Sequence, residues 1–260
     1  MAIFVEKPHA STVLTRFQYF LELIVFIALN TLCTLRLYTF VCIVASMHTS
    51  KEYPANDAIC LYRNALPDEL CESLIELFNE NNSKTNSDIT PLSRYTGTST
   101  NMYLLAPDSP SESGMKTELD YKVFEMFNEV AQDYQKDFYW LGDCPELVDS
   151  GYRIQKYQAG RDEYSEHIDG DPWSLAYQGR VCGVVMYLNT VEEGGETYFP
   201  HQGIGINPVK GTIAIFPANW THPHIAKKPE SNDKYVIATF LSAARFRHRN
   251  NYFVENTEIN

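Results

Sequence analysis

Basic charge is scarce in this sequence. Its 260 residues include 21 Lys and Arg against 33 Asp and Glu, so the formal net charge is −12 at pH 7. A nucleic-acid-binding surface needs a basic face for the phosphates, so the composition argues against nucleic acid as a partner. Internal repeats, low-complexity segments and CxxC cysteine pairs are also absent. With a hydrophobic share of 44%, these absences argue against a disordered chain and against a cysteine-based metal site.

Long apolar sequence is confined to the N-terminus. Residues 23–45 carry one charge, Arg36, over a length that would span a bilayer. Arg36 lies near the centre of this segment, where insertion costs roughly 2.5–3.5 kcal/mol. We expect residues 1–46 to be an apolar leader and a candidate single transmembrane anchor, with membrane association through residues 17–46 and the following domain translocated. The alternatives are a cytoplasmic protein that starts at Met47 and a cleaved signal peptide, which the length of the apolar segment disfavours.

The rest of the chain changes from helical to strand patterns near residue 151. Apolar residues at helical spacing predict helices at 67–78 and 117–138, separated by a polar segment, 81–110, that is typical of a loop. Eight short strands follow, at 152–157, 164–168, 181–188, 197–199, 205–207, 212–216, 222–225 and 234–242. This order predicts a mainly β domain with supporting helices, in which residues 47–260 form one unit and residues 151–247 its double-stranded β-helix (jelly-roll) core.

Two histidine motifs suggest a metal site inside this barrel. His167 and Asp169 are two residues apart on a predicted strand, so their side chains share a face. A third ligand, His222 or His224, would come from a distant strand. Two histidines and one carboxylate form the facial triad of non-haem Fe(II) oxygenases. The same donors also suit a hydrolytic Zn²⁺ site.

Lys234 helps to distinguish these two chemistries. It opens the apolar strand KYVIATFL, where a buried ammonium needs an anionic partner. The diacid 2-oxoglutarate fits this requirement, because its 2-oxo acid end chelates iron and its distal carboxylate would reach the lysine. A hydrolase has no need of such a residue, so Lys234 favours the oxygenase.

Several ordered motifs together resemble one enzyme family. The segments KYQAGRDEYSEHID, VVMYLNTVEEGGETYFP and VKGTIAIFPANWTHPH, with the Lys234 strand, are similar to the prolyl 4-hydroxylase-like branch of the Fe(II)/2-oxoglutarate dioxygenases. The resemblance implies that His224, rather than His222, completes the iron site with His167 and Asp169. It also implies that Lys234 binds 2-oxoglutarate, in a pocket lined by Tyr157, Tyr187 and Thr197.

The resemblance further implies an activity. An enzyme of this kind uses Fe(II), the cosubstrates 2-oxoglutarate and O₂, and ascorbate as a reductant to hydroxylate a C–H bond. The expected substrate is a protein or peptide, with peptidyl proline as the leading candidate. The alternatives are another amino-acid or protein side chain, or a non-catalytic metal-binding barrel. His201 and His222 are interpreted as surface histidines, and Arg180 as a solvated loop charge.

Overall fold

The computed structural model describes residues 49–55, 57–81, 85–86, 97–104, 115–138, 141, 147–170 and 179–243. The apolar leader, and with it the predicted N-terminal helix, lies outside these residues. Among the helices in the described part of the chain, none is long and apolar enough to cross a membrane. The described residues belong to a single compact unit that begins at Thr49.

This unit contains two helices and thirteen strands within the described residues. The helices are α1 (Asp68–Glu80) and α2 (Met115–Asp137). The strands are β1 (Ser50–Glu52), β2 (Cys60–Arg63), β3 (Thr85–Asn86), β4 (Thr100–Tyr103), β5 (Leu147–Asp149), β6 (Arg153–Tyr157), β7 (Tyr164–His167), β8 (Arg180–Tyr187), β9 (Thr197–Phe199), β10 (Ile204–Ile206), β11 (Ile213–Pro217), β12 (His224–Ala226) and β13 (Lys234–Ala243).

The strands form two antiparallel sheets. The larger sheet has the order β1-β2-β11-β8-β13-β6-β4-β3, with β5 paired to β13, and the smaller has the order β10-β9-β12-β7. From β6 onward the chain passes repeatedly between the sheets, so β6, β8, β11 and β13 belong to the larger one and β7, β9, β10 and β12 to the smaller. This alternation is the double-stranded β-helix topology expected from the sequence.

The central strands of the larger sheet are buried on both faces, and alternate residues of β8, β11 and β13 belong to two different cores. On β8, Val184 and Met186 belong to the core that includes α1 and α2 residues, whereas Tyr187 belongs to the barrel interior. On β11, Ile215 faces the helices and Phe216 the interior. Because side chains alternate along a strand, β13 must present Lys234 on the same side as the interior residue Val236.

The sequence-based assignment is confirmed for the barrel and its helices. Both predicted helices and all eight predicted strands are present, and their ends shift by at most two residues. The expected loop over residues 81–110 is wrong in part, because β4 lies within it and pairs with β6. β4 has only four residues within this polar segment, so its conformation depends on the neighbouring strand that supplies its hydrogen bonds.

Candidate metal centre

Two of the predicted ligands lie at the end of β7. His167 is the last residue of this strand and Asp169 follows it by two positions. Nε2 of His167 is 3.6 Å from Oδ1 of Asp169, and the two side chains are only 15% and 9% exposed. The carboxylate lies over Gly183 of β8, where a β-carbon would collide with Oδ2. The absence of a side chain at Gly183 therefore leaves space for Asp169 inside the barrel.

Strand pairing places His224 next to His167 and Asp169. It is the first residue of β12 and lies directly opposite His167 on β7. The two imidazole rings are 4.2 Å apart, and Nε2 of His224 is 3.7 Å from Oδ2 of Asp169. One ligand atom from each of the three residues lies within 4.8 Å of the other two. The structure thus brings the three predicted ligands together in a group that could hold one metal ion.

Backbone carbonyls orient both histidine rings for this purpose. Nδ1 of His167 is 2.8 Å from the carbonyl oxygen of Ser165, and Nδ1 of His224 is 3.2 Å from that of His222. A carbonyl oxygen only accepts, so Nδ1 donates in each ring and the lone pair of the neutral imidazole lies on Nε2. Both Nε2 atoms face Asp169. The donor set therefore fits a divalent metal, with backbone contacts fixing the ligand tautomers.

The protonation states of the two buried ligands, Asp169 and His224, suit metal binding. Burial alone would raise the pKa of Asp169, but His224 and His167 outweigh it and lower the pKa to about 2. Burial, reinforced by His167, lowers the pKa of His224 to about 4. Metal ligands must be ionised carboxylates and neutral imidazoles, and both groups hold these forms near neutral pH.

The walls around the ligands are mainly aromatic. The rings of Phe216 and Phe199 lie 4.8 and 5.5 Å from the His224 ring. Arg180 is not the solvated loop charge expected from the sequence. Its Nη1 donates to the backbone oxygen of Asp169 at 3.0 Å, and its guanidinium lies 3.5 Å from the centre of the Phe240 ring. The segment that carries Asp169 is therefore held from β8 as well as from β7.

Lys234 is buried in the barrel as the sequence predicts. It is 1% exposed, and its Nζ donates to the carbonyl oxygen of Gly195 at 2.9 Å and lies 4.4 Å from the centre of the Tyr157 ring. Burial lowers the pKa of this lysine to about 7, and the opposing effect of Glu196 is smaller. A buried ammonium whose nearest contacts are a carbonyl and a ring is well placed for an anionic ligand.

The other predicted pocket residues lie in the same interior. Tyr157 is the Cα partner of Lys234 across the β6–β13 pair. The hydroxyl of Tyr187 is 2.8 Å from the hydroxyl of Thr197. Tyr157, Tyr187 and Phe199 belong to one buried cluster, so the cluster joins the surroundings of Lys234 to those of His224. Burial raises the pKa of both tyrosines, which keeps their hydroxyls neutral.

His222 differs from its interpretation as a surface residue. Its side chain is 7% exposed, and its Nε2 is 2.9 Å from Oδ1 of Asp57, a residue of the segment between β1 and β2. No local pattern connects two residues so far apart in the chain, so sequence reasoning missed this pair. The available signal in the sequence was its position two residues before the predicted ligand His224; in the structure Pro223 and His224 are buried beside it.

Comparison with known proteins agrees with this geometry. Residues 152–242 match the family model of the 2OG-Fe(II) oxygenase superfamily. This segment is therefore similar to the domains of 2OG-Fe(II) oxygenases. It contains His167, Asp169, His224 and Lys234, so the predicted relationship to the Fe(II)/2-oxoglutarate dioxygenases is confirmed.

The chain also has a curated relative. The chain is 25% identical over 128 residues to the probable prolyl 4-hydroxylase 11 of Arabidopsis thaliana, a match over 46% of this chain and 43% of the relative. The chain therefore matches less than half the length of that protein.

Solved structures show the same fold. A viral collagen prolyl hydroxylase from Paramecium Bursaria Chlorella virus-1, in complex with 2OG, aligns at a TM-score of 0.53 and 20% identity, over 72% of this chain and 97% of that one. A Trichoplax adhaerens prolyl hydroxylase, in complex with a hypoxia inducible factor peptide fragment, aligns at a TM-score of 0.54 and 14% identity, over 73% of this chain and 85% of that one. A prolyl-4-hydroxylase of Pseudomonas putida aligns at a TM-score of 0.52 and 15% identity, over 72% of this chain and 93% of that one.

Proposed function

We propose that this protein is an Fe(II)- and 2-oxoglutarate-dependent dioxygenase that hydroxylates a C–H bond of a protein or peptide. The observation that carries this proposal is the buried Lys234, which shares one barrel interior with the group His167, Asp169 and His224. A metal site alone would be compatible with hydrolysis. The lysine adds a place for the second carboxylate of a diacid.

Each residue has a defined part in this proposal. His167, Asp169 and His224 would hold Fe(II) through Nε2, a carboxylate oxygen and Nε2. Bound iron, with 2-oxoglutarate and O₂, supplies the oxidation that converts the C–H bond to an alcohol while the cosubstrate becomes succinate and CO₂. Lys234 would neutralise the distal carboxylate of 2-oxoglutarate, and Tyr157, Tyr187 and Thr197 would line its pocket. The aromatic rings of Phe199 and Phe216 would limit access of water to the metal ligands.

Peptidyl proline is the leading substrate within this proposal. It is supported by the names of the relatives, which are prolyl hydroxylases, and one of them is in complex with a peptide. The acidic composition of the chain weakly favours basic or neutral partners. We include ascorbate in the proposed reaction as the reductant that would restore oxidised iron.

Two measurements on the full chain test the activity. Anaerobic addition of Fe(II) and 2-oxoglutarate should produce the weak visible charge-transfer band of a chelated cosubstrate. In air, a peptide panel with matched proline and alanine members should give succinate and a mass increase of one oxygen atom on the proline peptides. His167→Ala should eliminate both signals.

The possible outcomes test the proposed reaction and the proposed substrate separately. Absence of the band together with absence of succinate across the panel would refute the oxygenase proposal. A band with hydroxylation of residues other than proline would refute only the proline assignment.

A further inference from the structure

His222 lies two residues before a proposed metal ligand, yet its side chain is engaged elsewhere. Its Nε2 is 2.9 Å from Oδ1 of Asp57, and its Nδ1 is 2.7 Å from the hydroxyl of Thr221. Both ring nitrogens thus have partners outside the metal group. The imidazole also lies edge-on to Phe199, with 6.4 Å between the ring centres, so its position in the barrel wall is fixed from several sides.

The backbone of His222 is connected to the metal centre. Its carbonyl oxygen is 3.2 Å from Nδ1 of His224 and so determines which nitrogen of that ring carries the lone pair. Pro223 lies between the two histidines. A proline fixes its own φ and restricts the preceding residue to extended conformations, so movement of His222 is passed on to His224 rather than absorbed between them.

Strand pairing alone holds His224 weakly. β12 has three residues, and its register with β7 is irregular between His224 and Ala226. Pairing with β9, on the other side, involves Ile225 and Ala226. His224 therefore lies at the end of a short ladder and has a Cα partner on β7 only. A side-chain contact two residues earlier, at His222, would add the missing constraint.

Asp57 is suited to make that contact. Its Oδ1 also accepts a hydrogen bond from the backbone N–H of Ile59 at 3.1 Å, and Ile59 is fully buried where the chain enters β2. Burial alone would raise the pKa of Asp57, but the bond from His222 lowers it below its ordinary value. An ionised carboxylate next to β2 of the larger sheet therefore holds the side chain of His222, two residues before β12 of the smaller sheet.

We propose that Asp57 and His222 form a positioning pair that orients His224 for metal binding. This inference depends on the proposed function, because it assigns the pair to the same metal centre. Neither residue is proposed to touch the metal or a substrate. The pair acts through the His222 carbonyl, so its loss should weaken metal binding more than it affects the rest of the fold.

Binding of Mn(II) to the full chain, measured by electron paramagnetic resonance under anaerobic conditions, tests the pair without relying on turnover. Asp57→Ala should weaken Mn(II) binding about tenfold, the lower end of the effect for residues behind metal ligands. Asp57→Asn keeps an Oδ1 acceptor and should stay within about threefold of the wild type. His222→Phe keeps a ring of similar shape and should resemble Asp57→Ala, and the double variant should lose little more than either single variant.

Asp149→Ala is the matched control. Asp149 likewise accepts from a backbone N–H two residues ahead, that of Gly151 at 2.9 Å, and from one side chain, the Tyr152 hydroxyl at 3.1 Å. Tyr152 belongs to the core shared with the helices. This variant should lower the melting temperature and leave Mn(II) affinity unchanged.

The results distinguish this inference from the proposed function. If the wild type binds no Mn(II), or if His167→Ala binds it equally well, the metal centre itself is wrong. If the wild type binds Mn(II) but Asp57→Ala and His222→Phe bind it equally tightly, only the positioning pair is refuted. An equal loss of Mn(II) affinity in Asp149→Ala would also refute it, by showing a general effect of destabilisation. If Asp57→Ala does not fold, His222→Phe, compared with the wild type and with Asp149→Ala, decides between these outcomes.

Discussion

Replacing Lys234 with methionine should stabilise the ligand-free protein and at the same time weaken its binding of 2-oxoglutarate. Methionine keeps an unbranched chain of similar length and removes the charge. In the structure the side chain is 1% exposed and Nζ contacts the Gly195 carbonyl and the Tyr157 ring. Without a bound anion, the ammonium is therefore paired with neutral groups.

The size of the stability effect follows from the pKa. Burial lowers the pKa of Lys234 from 10.5 to about 7, and one pKa unit corresponds to about 1.4 kcal/mol, so keeping this ammonium buried costs about 5 kcal/mol. Between these two pKa values the unfolded chain binds more protons than the folded one. The free energy of unfolding should therefore rise with pH from about 7 to 10.5. Lys234→Met should remove this rise and stabilise the ligand-free protein at pH 7 by about 2–4 kcal/mol.

The same substitution should weaken the binding of 2-oxoglutarate. Removing one partner of a buried charge pair costs about 2–5 kcal/mol, so the dissociation constant of 2-oxoglutarate should rise at least about 30-fold. In the wild type, binding above pH 7 requires uptake of a proton by Lys234. The affinity should then fall by up to about tenfold per pH unit. The methionine variant should lack this dependence.

Anaerobic titration of 2-oxoglutarate into the Fe(II)-loaded protein, followed through the charge-transfer band, measures the affinity, and thermal unfolding measures the stability. Lys227→Met is the control, because Lys227 is exposed on the outside of the smaller sheet and lies 4.4 Å from the Tyr198 ring. It should leave both quantities unchanged. A Lys234→Met variant that binds 2-oxoglutarate within about threefold of the wild type would refute the role assigned to Lys234.

Three further predictions follow from the site and the leader. His167→Ala and Asp169→Ala should each abolish stoichiometric Mn(II) binding while the protein stays folded, as measured by metal titration and circular dichroism; retained binding would contradict the ligand assignment. Thr197→Val removes the 2.8 Å bond to the Tyr187 hydroxyl and should raise the 2-oxoglutarate dissociation constant about fivefold, with Thr190→Val as the exposed control. Membrane fractionation should find the full chain in the pellet and a chain begun at Met47 in the supernatant; equal distribution of the two would refute an anchor in residues 17–46.

Much of the site could be predicted because the relevant signals are local. His167 and Asp169 share a face through the two-residue period of a strand, and that geometry needs no information about the fold. Lys234 was detectable because a charge opens an otherwise apolar strand. Both inferences depend on neighbours in the sequence, and the structure places all three residues in the barrel as expected.

The choice between His222 and His224 needed more than local sequence. Both could have reached a metal from the same strand, and the resemblance to a family selected His224. In the structure the register between β7 and β12 sets His224 opposite His167, while Asp57 holds His222. A register is a property of two strands, so neither strand specifies it alone.

The sequence by itself determined the secondary elements of the barrel, its jelly-roll class and the chemical types of the residues in its centre. These follow from hydrophobic periodicity and from the high cost of burying a charge, both of which act over a few residues. The tertiary structure decided that β4 joins the larger sheet, that Arg180 holds the segment of Asp169, and that Asp57 reaches His222. Those contacts join residues far apart in the chain, and they form only when the packing of the two sheets brings those residues together.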